Sequence, residues 1–324
     1  MKERKDGVAS AVAAFLMWGV LPIFWKGLHS LPPVTIIAQR TLWSLVLLAV
    51  VLVWQKDFGK VLRSLRSWQG TSWHLLSGLL LASNWLLYVW ATVNGHILEA
   101  ALGYYLNPFL NMLFGALLFG ERQSRLQMLA VAVAAVGVAF QFHAVHGVPW
   151  ISLVLALTFA LYGVVRKRAP LAALAGLTVE TVLLAPLALG WLVWQVAQGQ
   201  AIFGSGPQQA GLVIFTGVAT ALPLLCFSHA ARTISLTTLG ILQFMAPTLQ
   251  FLIGWRFYHE EMSRERLWSF AIIWTAVAVY AIDAILRGKR KDGLPPDSRD
   301  SRTSAWTADH ADGTDERPVG EESE

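Results

Sequence analysis

Ten long apolar stretches dominate the chain: Gly7–Trp25, Val34–Trp54, Thr71–Val93, Leu98–Phe119, Gln123–Phe142, Val148–Val165, Leu171–Trp194, Ala210–Ala231, Leu236–Tyr258 and Leu267–Leu286. Each is near the ~20 residues that a helix needs to cross ~30 Å of hydrocarbon. Most connectors are short. Two, Lys56–Arg66 and Gln195–Gln208, are polar enough to be surface loops. The pattern predicts an all-α integral membrane protein of about ten transmembrane helices. The segment from Lys291 contains Pro295 and Pro296 among scattered Ser, Asp and Gly, too apolar-poor to offset the entropy of ordering, so a disordered polar tail is expected over 291–324.

Charge placement sets the orientation. With the amino terminus cytoplasmic, one set of segments holds Lys2, Arg4, Lys5, Lys56, Lys60, Arg63, Arg66, Arg122, Arg125, Arg166, Lys167, Arg168, Arg232, Arg287, Lys289, Arg290 and Lys291. The other holds Lys26, Arg256, Arg264 and Arg266. Basic residues favour the cytoplasmic side, so both termini are expected inside, at an inner membrane, which an even number of spans requires. The first stretch follows Lys2, Arg4 and Lys5 like a signal peptide. It runs past 15 residues without a small-x-small cleavage pattern and reads as a retained helix.

Composition agrees. Charged residues are 14% of the chain, against about 25% in soluble domains. Trp25, Trp54, Trp68, Trp73, Trp150, Trp194 and Trp268 sit at or near span ends, where an indole suits the lipid headgroup layer. The net charge of +5 lies mostly in short loops and termini, which explains it without nucleic acid. Cys226, the single cysteine, reads as a small buried apolar residue.

The chain also repeats. At an offset of 139 residues Pro108 meets Pro247, Leu110 meets Leu249, Gly115 meets Gly254, Glu121 meets Glu260 and Arg125 meets Arg264. At an offset of 144, Phe15 meets Phe159 and Gly19 meets Gly163. The halves, 1–146 and 147–290, therefore carry five helices each. Five is odd, so the second half enters the membrane inverted, an architecture of transporters with a solute site between the halves. Inversion also explains why the basic segment Arg256–Arg266, the duplicate of Gly120–Arg125, falls outside.

The segment Asn84-Trp85 to Trp90-Ala91, then Leu98-Glu99-Ala100-Ala101-Leu102-Gly103-Tyr104-Tyr105 and Asn107-Pro108, resembles the RarD branch of the EamA-type drug/metabolite transporters. So do Gly120-Glu121-Arg122, Pro223-Leu224-Leu225-Cys226-Phe227, Leu239-Gly240, Gln243 and Ala246-Pro247-Thr248. The resemblance spans Gly7 to about Arg287. It implies a ten-helix fold of two inverted five-helix repeats, an inner-membrane location and movement of a small metabolite or drug. The name "chloramphenicol-sensitive protein" attaches to this branch and leaves the physiological substrate open.

Ionisable groups inside spans cost about 2.5–3.5 kcal/mol on insertion scales and usually face the bundle interior. Arg40 and Glu180 stand out, at offset 140 and each followed by Thr. They can pair, bracket a polar solute from two sides, or anchor helix ends. Asn107 and Asn111 share one helical face, with Glu99 close to it and Pro108 freeing a carbonyl about one turn back. Gln250 corresponds to Asn111, and Gln243 adds a further carboxamide. These groups are expected to line a solute path or to hydrogen-bond between helices. Asn84 joins them through its place in the family-like segment, and Trp18, Trp85, Tyr104, Tyr105 and Trp90 are candidate aromatic walls. His143 and His146 are spaced like metal ligands but have no Cys or carboxylate nearby, so neither a metal nor a cofactor is expected. No Gly-rich phosphate loop with Lys-Ser or Lys-Thr is present, which disfavours ATP-driven pumping by this chain alone. A secondary transporter is the leading function, moving a small solute with protons as a candidate co-substrate. An integral membrane enzyme on a lipid-linked substrate, or a scaffold or receptor, is the alternative.

Overall fold

The computed structural model describes residues 2–55, 58–120, 123–144, 148–169, 171, 173–234, 239 and 242–292. The segment 293–324, most of the expected disordered tail, lies outside those residues, as does the expected boundary between the halves at 146 and 147. Helices are α1 Lys2–Lys26, α2 Pro33–Gln55, α3 Phe58–Leu65, α4 Trp68–Val93, α5 Ile97–Phe119 and α6 Arg125–Ala144. The second half supplies α7 Trp150–Arg168, α8 Ala173–Ala197, α9 Pro207–Thr233, α10 Met245–Leu252 and α11 Arg264–Asp292. Seven are long and apolar enough to cross a membrane, and shorter apolar helices lie at Arg125–Gln141 and Trp150–Arg166. Large apolar side chains such as Val50, Val53, Leu117 and Val193 are exposed at the perimeter. In water they would be a liability; in a bilayer they meet hydrocarbon. The protein is a multi-pass membrane protein.

Ten apolar stretches became helices with two departures. The connector Lys56–Arg66, expected as a surface loop, contains α3. Val61 is buried and Leu65 half-buried against Ala175 and Val179 of α8, so four-residue spacing of apolar groups turns a polar stretch into a short amphipathic helix. The ninth stretch, expected as one helix over Leu236–Tyr258, is interrupted. Among the described residues Gln243 and Phe244 form a turn, after which α10 covers Met245–Leu252 and continues into a π-helical turn over Ile253–Phe257, in which the Tyr258 N–H donates to the Ile253 carbonyl.

Local chemistry sets the ends. Ser67 caps α4 by accepting from the Gly70 N–H. Gly120, at φ 64°, closes α5 in the left-handed conformation that glycine adopts without a Cβ penalty. The start of α5 has no side-chain cap from His96. Glu260, 163 residues on, supplies it: its two oxygens accept the N–H groups of Ile97 and Leu98 at 2.8 and 2.9 Å.

The fold is two inverted five-helix repeats, and the helix partners follow the exchange of halves. α1 packs on α9 and α7 on α4; α5 packs on α7 and α10 on α1; α2 packs on α9 and α8 on α4. α6 with α11, α2 with α8 and α5 with α10 are the self-matched pairs. Glycines mark matched crossings. A Cβ on Gly78 would stand 3.3 Å from Glu180 Cβ on α8, and one on Gly217, its partner at offset 139, would stand 2.6 Å from the Trp43 carbonyl on α2.

Candidate functional site

A narrow, partly open cavity of about 20 Å³ lies among α2, α4, α8 and α9. Its walls come from Thr41, Ser44 and Leu48, from Gly78, Leu81, Ala82 and Trp85, from Leu177, Glu180, Thr181 and Leu184, and from Thr220, Ala221 and Leu224. Two of these helices belong to each half. The close approach at Gly78 and Gly217 draws them together around it.

Arg40 and Glu180 each stand seven residues into their helices, α2 and α8. At 1.5 Å per residue that is about 10 Å below the helix start. The two helices start at opposite faces of the bundle, so the two charges lie at opposite depths. They do not pair. Arg40 Nε donates to Thr220 Oγ1 at 2.7 Å, and its guanidinium sits 3.4 Å from the Trp85 ring centroid and 5.6 Å from that of Trp25. Glu180 Oε1 accepts from Ser77 Oγ at 2.6 Å and from the Arg166 guanidinium at 3.2 Å, with His74 Nδ1 3.6 Å away. Glu180 lines the cavity, and Arg40 meets it through Trp85 and Thr220. Of the arrangements open from the sequence, a direct Arg40–Glu180 pair is thus replaced by two charges placed on either side of one space.

Sequence reasoning passed over the partners. Arg166 stood in the count of cytoplasmic charges, but its side chain folds back along α8. A Cβ at Gly176 would collide with its guanidinium, so that glycine makes the path. Ser77, His74, Ser44 and Thr220 carried only the weak signal of polar groups in apolar stretches. Ser44 Oγ and His74 Nε2 are buried without hydrogen-bond partners.

The other candidates are distributed elsewhere. Asn84 is fully buried and ties α4 to α7, donating to the Leu155 carbonyl at 2.8 Å and to Thr158 Oγ1 at 2.9 Å. Tyr104 donates to Asn84 Oδ1 at 3.4 Å. Trp18 packs with Phe15 and Phe227, and its carbonyl accepts from Gln250 Nε2 at 3.1 Å. Asn107 is buried, with its Oδ1 lacking a partner; Asn111 is exposed, its Oδ1 facing Gly163 of α7. Neither lines the cavity, because this face of α5 is turned to α7. Gln243 is half-buried just before α10. Glu99 is parted from the carboxamides: it lies at the start of α5, 3.1 Å from His96 and 3.9 Å from Arg266. His146 and the side chain of His143 lie outside the described residues.

This site sits in a fold and sequence with clear relatives. The profile of the EamA-like transporter family matches residues 5–142. An "Uncharacterized transporter" of Pseudomonas aeruginosa is 47% identical over 283 residues, covering 86% of this chain and 94% of its own. "Protein RarD" of Escherichia coli is 36% identical over 290 residues, covering 89% and 98%. A solved crystal structure at 20% identity superposes with a TM-score of 0.58 over 87% of this chain and 99% of its own, a likeness of fold. Fold, cavity and relatives together define a membrane transporter class. The chain belongs to the RarD branch of the EamA-like transporter family.

Proposed function

We propose that this chain is a secondary transporter of a small solute across the inner membrane, with both termini cytoplasmic. The observation that supports it most directly is the cavity between the two halves, with an arginine on one side and a glutamate on the other. A site at the interface of inverted repeats can be opened to either side in turn by rocking one half against the other. Glu180, gripped by Ser77, Arg166 and His74, is the group in this reading that takes part in proton coupling. A relative in Pseudomonas aeruginosa bears the name "Chloramphenicol-sensitive protein RarD", so chloramphenicol belongs in any solute panel.

The test uses right-side-out and inside-out vesicles loaded with a defined mixture of metabolites and chloramphenicol, with and without a proton gradient. Protein-dependent redistribution of at least one solute, altered by the gradient, is expected. In parallel, Ser44→Cys in a Cys226→Ala background should react with a membrane-impermeant thiol reagent from at least one side. No redistribution, together with a Ser44→Cys thiol unreachable from both sides, would overturn the reading.

A further inference from the structure

The two charged positions are equivalent in the repeat but not in their surroundings. Around Glu180 stand Arg166, His74 and Ser77. At the offsets of 144 and 139 their counterparts are Pro22, Val213 and Thr216. The matching places around Arg40 therefore hold no charged group that could compensate it. Among the described residues no carboxylate pairs with Arg40, which is 94% buried by its relative exposure of 6%. A buried charge without a counter-ion costs several kcal/mol. Glu180 is neutralised locally and Arg40 is not, so the net charge at the cavity is positive and sits at Arg40.

The geometry shows what that charge can hold. With Nε given to Thr220, the edge formed by the two Nη groups remains for a partner. That edge matches the two oxygens of a carboxylate in a bidentate pair. Two further polar groups lie close by. Trp25, whose ring is 5.6 Å from the guanidinium, buries its Nε1–H without an acceptor. Tyr88, within Coulombic reach of Arg40, buries its hydroxyl with only the Thr92 side chain to meet it. Buried polar groups are rarely left this way unless something outside the chain completes them. The cavity, which Arg40 meets through Trp85 and Thr220, is walled mainly by Leu48, Leu81, Leu177, Leu184 and Leu224. One cation in an apolar space suits one negative charge; a phosphate dianion would bring a second charge with nothing to offset it.

Resting on the transporter reading, we propose that the solute is a small organic monocarboxylate with an apolar body. Its carboxylate lies on the Arg40 guanidinium beside Trp85, and its body parts the cavity leucines, since the space between them in this state, about 20 Å³, has room for only a water.

The test is calorimetric titration of the full chain in phosphatidylcholine nanodiscs with 3-phenylpropionate, 4-methylpentanoate and their uncharged amides, and with inorganic phosphate. A hydrogen-bonded charge pair corresponds to about tenfold or more in affinity. At least one carboxylate should bind about tenfold tighter than its amide and than phosphate. Arg40→Gln should abolish that preference, Arg40→Lys should keep part of it, and Glu99→Gln, at the far cluster on α5, should leave it unchanged. If Arg40→Gln does not fold, the wild-type comparison of acid with amide decides alone. Equal binding of acids and amides, or a preference that survives Arg40→Gln, overturns the proposal. So does loss of binding when phosphatidylglycerol replaces phosphatidylcholine, because the site would then belong to a lipid headgroup. Counterflow in proteoliposomes separates the two ideas. Binding of the acid without exchange sinks the transporter reading and leaves the anion site standing. Exchange of solutes without preference for the acid sinks the anion proposal and leaves the transporter.

Discussion

Removing Arg166 should damage this protein more than removing the glutamate it serves. Glu180 is 1% exposed, and its Oε1 depends on Ser77 at 2.6 Å and Arg166 at 3.2 Å. Arg166→Gln leaves that carboxylate buried with a hydroxyl and an imidazole. Breaking a buried pair in this way costs about 3–5 kcal/mol. Glu180→Gln leaves Arg166 instead, which is 14% exposed and two residues from the end of α7. An arginine there can extend its head toward the membrane surface, so the loss falls to about 1–2 kcal/mol. The double variant contains neither orphan charge and should recover at least about 1 kcal/mol beyond additivity. Thermal unfolding of the detergent-purified protein measures all four members of the cycle. Arg166→Gln should lower the midpoint by about 5 °C or more, taking a few degrees per kcal/mol. Gly176→Ala, which pushes the guanidinium off α8, should reproduce part of that loss. Strict additivity, or a Glu180→Gln variant less stable than Arg166→Gln, would refute the reasoning.

Gly217→Ala should destabilise by about 1–3 kcal/mol, since its Cβ would meet the Trp43 carbonyl at 2.6 Å, whereas Gly190→Ala, with open space around it, should be neutral in the same melt. Burial raises the Glu260 carboxyl above its usual 4.5, outweighing the Ile97 and Leu98 N–H bonds and the nearby Lys26 and Arg266, with His96 and Glu99 adjoining the same end of α5. The closed cap thus holds a proton more tightly than an opened one, so closure is favoured at lower pH and weakens as pH rises from about 4.5 through the raised value. Hydrogen exchange at Ile97 and Leu98, corrected for its intrinsic pH dependence, should accelerate across that window, and Glu260→Ala should remove the effect; a flat profile would count against it. A reporter fused at the carboxyl terminus should be active in the cytoplasm, and activity only on the periplasmic side would overturn the proposed topology.

Much of this fold was legible because a bilayer imposes a coarse rule: stretches near twenty apolar residues stand out against any local propensity. The inverted repeat was legible from Pro108 and Pro247, Gly115 and Gly254, residues whose backbone effects resist drift. The short α3 was not, since eight residues with apolar groups at Val61 and Leu65 give too little signal beside Lys60, Arg63 and Arg66. Nor was the cap on α5, because a carboxylate reaching back 163 residues leaves no local trace. Among the candidate site residues, Arg40 and Glu180 were readable as ionisable groups inside apolar helices, and Trp85 as a candidate aromatic wall. Asn84, read from the family-like segment, and Gln250, read from its repeat partner Asn111, instead tie helices together. A polar side chain in a span announces that it needs a partner, not which partner it has.

That distinction explains how the halves diverge. If they exchange conformations, contacts made on one side must be matched on the other, and the scaffold pairs obey this. Gly78 and Gly217 both admit a neighbouring helix, and Gly19 and Gly163 face Leu249 and Asn111, themselves neighbours in the repeat frame. A bound solute is under no such demand, because it carries its charge at one end and needs its counter-charge once. Arg166 opposite Pro22 and His74 opposite Val213 are the differences that neutralise the ion of the second half and leave that of the first bare. Duplication built the frame, and unequal compensation of the two duplicated charges gave the cavity a direction along which a polar molecule can be oriented.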